Sequence, residues 1–203
     1  MKKMNLIIAG FLLLVGFTAC NDTGTDTTTT TTTDSSNAAN NTGTNNTNAA
    51  TISTANRLPL SAEDSTFVMK AAIGGLMEVE AGNLAQQNAT NERIKAFGTM
   101  MVNDHTKANS ELMALASGRG VTLPTTLPPD MIKHMEEMRK MKGKAFDNHY
   151  MGMMVNDHQK TIADFEKQAN SGSDSELKAW AAKTLPALQM HRDSATTINK
   201  AIK

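Results

Sequence analysis

The chain has 203 residues, with 20 Lys and Arg against 20 Asp and Glu and a formal net charge of zero. That balance lacks the basic excess of a nucleic-acid-binding protein, and a single cysteine excludes a disulfide within the chain. Aromatic residues are only 4% of the total, so a core has to be built from Leu, Met, Ile and Ala.

The first segment reads MKKMNLIIAGFLLLVGFTAC. Lys2 and Lys3 form a basic start, Leu6 to Phe17 an apolar stretch, and Phe17-Thr18-Ala19-Cys20 a small-residue cleavage site. The apolar stretch falls short of the roughly 20 residues that cross a bilayer. It resembles a bacterial lipoprotein signal. That resemblance implies removal of residues 1–19, lipidation of Cys20, and attachment to the cell envelope, at the outer membrane and facing the periplasm or the surface. Without Lys2 and Lys3, 18 basic residues remain against 20 acidic ones.

Residues 21–56 are almost entirely Thr, Asn, Ala, Ser, Asp and Gly. Apart from Ile52 they hold no apolar side chain larger than Ala, too little to offset the entropy of ordering. The expected organisation is therefore a lipidated Cys20 and polar tether over 20–58, followed by a folded domain over 59–203.

That domain reads as four long helices with a short one between the second and the third. The first is expected over about Ser61 to Ala89, with Ser61 as N-cap and acids in the first turn. The second starts at Thr90-Asn91-Glu92 and ends near Gly118 or Gly120, where a glycine can take the left-handed cap. The proline-rich VTLPTTLPPD cannot be helical throughout. Asp130 is the expected cap of the short helix, about Met131 to Lys142. The third long helix covers about Lys144 to Asn170, and the fourth about Asp174 to the end, with a kink expected at Pro186. Helices of this length joined mostly by short turns make an antiparallel four-helix bundle.

The string MMVNDH occurs twice, at Met100–His105 and at Met153–His158. Steps of three and four place His105 in the stripe Ile94, Met101, Ala108, Leu112. His158 joins Met151, Met154, Ile162 and Phe165, and His191 joins Leu177, Ala181, Leu188, Ala195 and Ile198. All three histidines sit near helix midpoints, and midpoints of antiparallel neighbours share one height. One polar layer is expected in the core, provided the second and third long helices are antiparallel neighbours. On the first helix either Glu78 or Glu80 can join it.

Three imidazoles and a carboxylate suit Zn(II), Cu(II), Ni(II) or Fe(II), with Asp104 and Asp157 placed to orient the rings. The competing reading is a metal-free hydrogen-bond network that fixes helix register. A di-iron carboxylate centre is excluded, because no histidine has a glutamate three residues before it. Met131, Met135, Met138 and Met141 surround His134 at helical spacing, and thioethers bind Cu(I), although such a stripe also serves as plastic packing surface. The chain has no nucleotide loop and no nucleophile constellation.

From about Leu60 to Ile202 the chain is similar to the bacterial exported family called domain of unknown function 4142, which is a ferritin-like helical bundle. The matching residues are Glu78-Val79-Glu80-Ala81-Gly82-Asn83-Leu84-Ala85, Ile94-Lys95-Ala96-Phe97, Met101-Val102-Asn103-Asp104-His105 with Asn109, Phe146-Asp147 with Tyr150, Met154-Val155-Asn156-Asp157-His158, Leu185-Pro186 and His191. The chain departs from the family at Gly98, where Ala is more usual. The resemblance implies Glu78 rather than Glu80 as the ligand beside His105, His158 and His191. Asp104, Asp157, Glu80 and Tyr150 are the expected supporting groups. It implies a fold without a reaction. Two function classes follow: an envelope protein that binds a metal ion or small ligand, and a structural or protein-interaction module braced by its polar layer.

Overall fold

A computed structural model describes residues 58–203. The signal-like segment, Cys20 and the polar tether lie outside the described residues, apart from the tether's last position. The described chain forms five helices and no strand: α1 (Ala62–Asn88), α2 (Glu92–Ser117), α3 (Pro129–Lys140), α4 (Gly143–Ser171) and α5 (Ser175–Ile202).

Local chemistry sets the helix ends. The Ser61 hydroxyl accepts from the Asp64 N–H at the start of α1, Asn91 caps α2 by accepting from the Arg93 N–H, and Asp174 accepts from the Glu176 and Leu177 N–H groups at the start of α5. The expected Asp130 cap of α3 is replaced by Pro128, with Pro129 in the first turn. Proline is pre-organised there because its missing N–H would have no helical partner. Asp130 instead lies within that turn, where its charge opposes the helix dipole favourably. After α2 it is Gly120 that takes the left-handed conformation (φ 71°), one turn step beyond the right-handed Gly118. The helix α5 continues through Pro186.

Contacts fix the directions of the long helices. Gly82 meets Gly98 and Gly75 meets Asn109, so α1 and α2 run antiparallel. Phe165 packs on Trp180 and His158 on His191, so α4 and α5 do the same. Packing of α1 on α4 and of α2 on α5 joins the two pairs, and α3 lies on α1. Phe67 against Phe165 and Glu78 against His158 make α1 and α4 antiparallel too. The second and third long helices, α2 and α4, are therefore parallel to one another and are not a packed pair. That corrects the expected neighbourhood: the 20 residues of VTLPTTLPPD and α3 carry the chain along α1 from one end of the helices to the other, where α4 starts beside the start of α2.

The buried apolar residues form two clusters. One holds Leu84, Phe97, Met101, Phe146, Met154 and Ala195, and the other Phe67, Leu112, Ile162, Trp180 and Leu188. In each long helix one buried polar residue falls between them: Glu78, His105, His158 and His191. The polar layer thus divides the core.

Candidate metal centre

Each member of the layer is held by a helix whose flanking turns are buried in apolar contacts. The side chains of Glu78, His105, His158 and His191 are almost completely shielded from solvent. The ring centroids of His105 and His158 are 5.9 Å apart, and each lies 5.4 Å from His191. One ring nitrogen from each histidine lies within 4.8 Å of those of the other two. Parallel α2 and α4 meet across the core through these rings and through Phe97 against Tyr150.

The remaining nitrogens have defined partners. His158 Nδ1 donates to the Met154 carbonyl at 2.9 Å, which leaves Nε2 as a bare lone pair. His191 Nε2 donates to the Asp104 carboxylate at 2.8 Å, which leaves Nδ1 bare. His105 Nδ1 stands 3.1 Å from one Glu78 oxygen, and the other Glu78 oxygen lies 3.5 Å from His158 Nδ1. Three buried nitrogens are left without a hydrogen-bond partner: His105 Nε2, His158 Nε2 and His191 Nδ1. Buried polar atoms are ordinarily paired, and the bare lone pairs of His158 Nε2 and His191 Nδ1 cannot satisfy one another.

Burial governs the charge state. It pushes the Glu78 carboxyl up to about 8, with the Asp157 charge adding to the effect. Burial also lowers His105 to about 3, with His158 and His191 reinforcing it, and lowers His158 to about 4. Near pH 7 these directions leave Glu78 protonated and His105 and His158 uncharged.

The supporting groups divide. Asp104 directly orients a ring, as its place in the repeat suggested. Asp157, the matching residue of the second repeat, is half-buried, and its nearest cation is Lys160 Nζ at 4.0 Å. It acts on the layer through its charge on Glu78. Glu80 belongs to another contact, accepting from Arg139 of α3 at 2.8 Å. Tyr150 is fully buried, stacked on Phe146 and edge-on to Phe97, with its hydroxyl unpaired. Glu78 meets the Nδ1 atoms of His105 and His158, away from their unpartnered Nε2 atoms. A cavity of about 60 Å³ touches Glu78 and His105 and is rimmed by the exposed Lys70–Asp164 ion pair. That volume accommodates several water-sized positions.

Other polar joints were not evident from the sequence. Asp64 is buried and accepts from Gln168 and from the N–H groups of Ser173 and Asp174, tying the start of α1 to the α4–α5 turn. Its hydrogen bonds outweigh burial and hold its carboxyl below the usual range. Arg119, which reads as a mere helix end, pairs with Asp174 at 2.6 Å and with Glu176 at 3.3 Å. Distances of 50 to 110 residues along the chain hide such pairs from any periodicity.

A family model described as "Domain of unknown function (DUF4142)" matches residues 49–198, and the chain belongs to that family. No curated protein and no solved structure matches the chain.

Proposed function

We propose that this DUF4142 member is a lipid-anchored cell-envelope protein that holds a divalent transition-metal ion in a ferritin-like four-helix bundle, with α3 in the crossover. The observation that carries the metal reading is the gathering of His105, His158 and His191 in one buried layer, each with a ring nitrogen that has no hydrogen-bond partner. Histidine nitrogens suit Zn(II), Cu(II), Ni(II) and Fe(II). His105, His158 and His191 would be the ligands, and Glu78, Asp104 and the Met154 carbonyl the groups that fix ring orientation. The opposite nitrogens carry those fixing contacts, as metal-binding histidines require. Antiparallel packing of α1 with α2 and α4, and of α5 with the same two helices, supports the bundle. No catalytic residue is assigned.

A second reading has its own support. Each histidine already has one partner, so the layer can also brace helix register without a metal. Thermal unfolding with added metal separates the two readings. For a bound ion at 100 times its Kd, linkage adds about 2.7 kcal/mol to wild type, or roughly 5 °C or more in Tm. His105→Ala, His158→Ala and His191→Ala should each abolish that increment. An equal response of wild type and variants to Zn(II), Cu(II) and Ni(II) would leave the brace.

A further inference from the structure

The remaining two histidines also stand together, away from the core layer. The rings of His134 on α3 and His149 on α4 are 5.5 Å apart. His134 Nε2 lies 3.4 Å from the Met153 sulfur. His149 Nε2 is buried and has no hydrogen-bond partner. His149 and Met153 are four residues apart, so they occupy one face of α4, and His134 reaches that face from α3.

We propose that His134, His149 and the Met153 thioether form a second, soft metal site that takes Cu(I). A thioether is a weak hydrogen-bond acceptor, so a nitrogen–sulfur pair at this spacing contributes little as a hydrogen bond. The spacing suits two ligands of one ion. Bond lengths of about 2.0 Å to nitrogen and about 2.3 Å to sulfur, at a near-tetrahedral angle, separate the donors by roughly 3.5 Å. A thioether with imidazoles selects Cu(I), whereas Zn(II) sites draw on thiolate, imidazole and carboxylate.

Packing alone accounts less well for this group. Met153 does border the apolar core, but its sulfur also faces a nitrogen of His134, and the His149 ring next to His134 has a buried, unsatisfied nitrogen. Met131, half-buried one turn before His134, offers a fourth donor. All three proposed ligands are half-buried, which leaves the face within reach of an incoming ion. Asp157 lies one turn beyond Met153 and acts electrostatically on His134, adding negative charge where a cation would enter.

The test is anaerobic competition for Cu(I) between the full chain and a chromophoric Cu(I) chelator, with Met153→Leu and His149→Gln compared to wild type. Met153→Leu conserves volume and should keep the fold, which circular dichroism checks directly. Both variants retain all three core histidines. Each should bind Cu(I) at least tenfold more weakly than wild type. X-ray absorption of the Cu(I)-loaded wild type should show a sulfur scatterer near about 2.3 Å, absent in Met153→Leu. Wild-type affinity in the folded Met153→Leu protein, or an ion bound by nitrogen alone in wild type, would overturn the site.

Discussion

Within the layer, two kinds of residue titrate in opposite directions, which gives the metal-free protein a pH optimum that no single group would. His105 and His158 have folded pKa values lowered to about 3 and about 4 from 6.5. The unfolded chain therefore binds more protons as pH falls below 6.5, and their contribution to stability, complete above that value, is lost with acid. Glu78 is raised from 4.5 to about 8, so the folded state keeps a proton that the unfolded chain has released. Its contribution is complete below 4.5 and declines as pH rises toward 8. Between 4.5 and 6.5 two histidines oppose one glutamate and acid destabilises. Above 6.5 the glutamate acts alone. Stability of the chelator-treated protein should peak near pH 6.5 and fall on the alkaline side by roughly half the 1.4 kcal/mol per pH unit that a whole proton would give. Urea denaturation across this range checks it, and Glu78→Gln should flatten the alkaline limb and steepen the acid one, because the glutamate no longer opposes the two histidines. A wild-type profile already flat between pH 6.5 and 8 would refute the assignment of the buried proton to Glu78.

At the scale of helices, α1 carries glycines with opposite roles. A Cβ on Gly82 would lie 2.8 Å from the Gly98 carbonyl oxygen and 2.9 Å from Val102, so α1 and α2 cross there at backbone contact. Gly74 has nothing within 4 Å of such a Cβ. Gly82→Ala should cost about 1–3 kcal/mol through forced separation of the helices, and Gly74→Ala should add about 0.5–1 kcal/mol through reduced entropy of the unfolded chain. Equal effects in denaturant titrations would show that the crossing tolerates movement. This contrast also marks what could be read in advance. The cap at Ser61, the helix starts near Asn91 and Asp174, and the stripes that carry His105, His158 and His191 depend on neighbours within a turn or two and were legible. The parallel relation of α2 and α4 was not, because connection length alone does not say which pair of helices packs. Nor was Glu78's place at the Nδ1 atoms, since a stripe gives the face of a side chain and not which nitrogen it meets. Glu80 went elsewhere because Arg139, 59 residues away, offers its carboxylate a cation near solvent.

For the molecule as a whole, the polar layer and the proposed anchor make separable demands. Among the described residues no helix is long and apolar enough to cross a membrane; the proposed lipid anchor places attachment at Cys20. The segment 21–56 holds little that could be buried against the helices. Removing it should shift the thermal midpoint by no more than about 2 °C, the equivalent of well under 1 kcal/mol. A larger loss would mean that the segment packs on the domain. Cys20→Ser tests the other half in cells. Wild type should fractionate with membranes, and the variant should appear either in the soluble envelope extract or as an uncleaved precursor. The domain's melting and its response to metal should be the same in both, because Cys20 lies outside the layer in sequence and chemistry. A Cys20→Ser protein that is processed normally and still pellets with membranes would require an anchor other than a lipid on that cysteine.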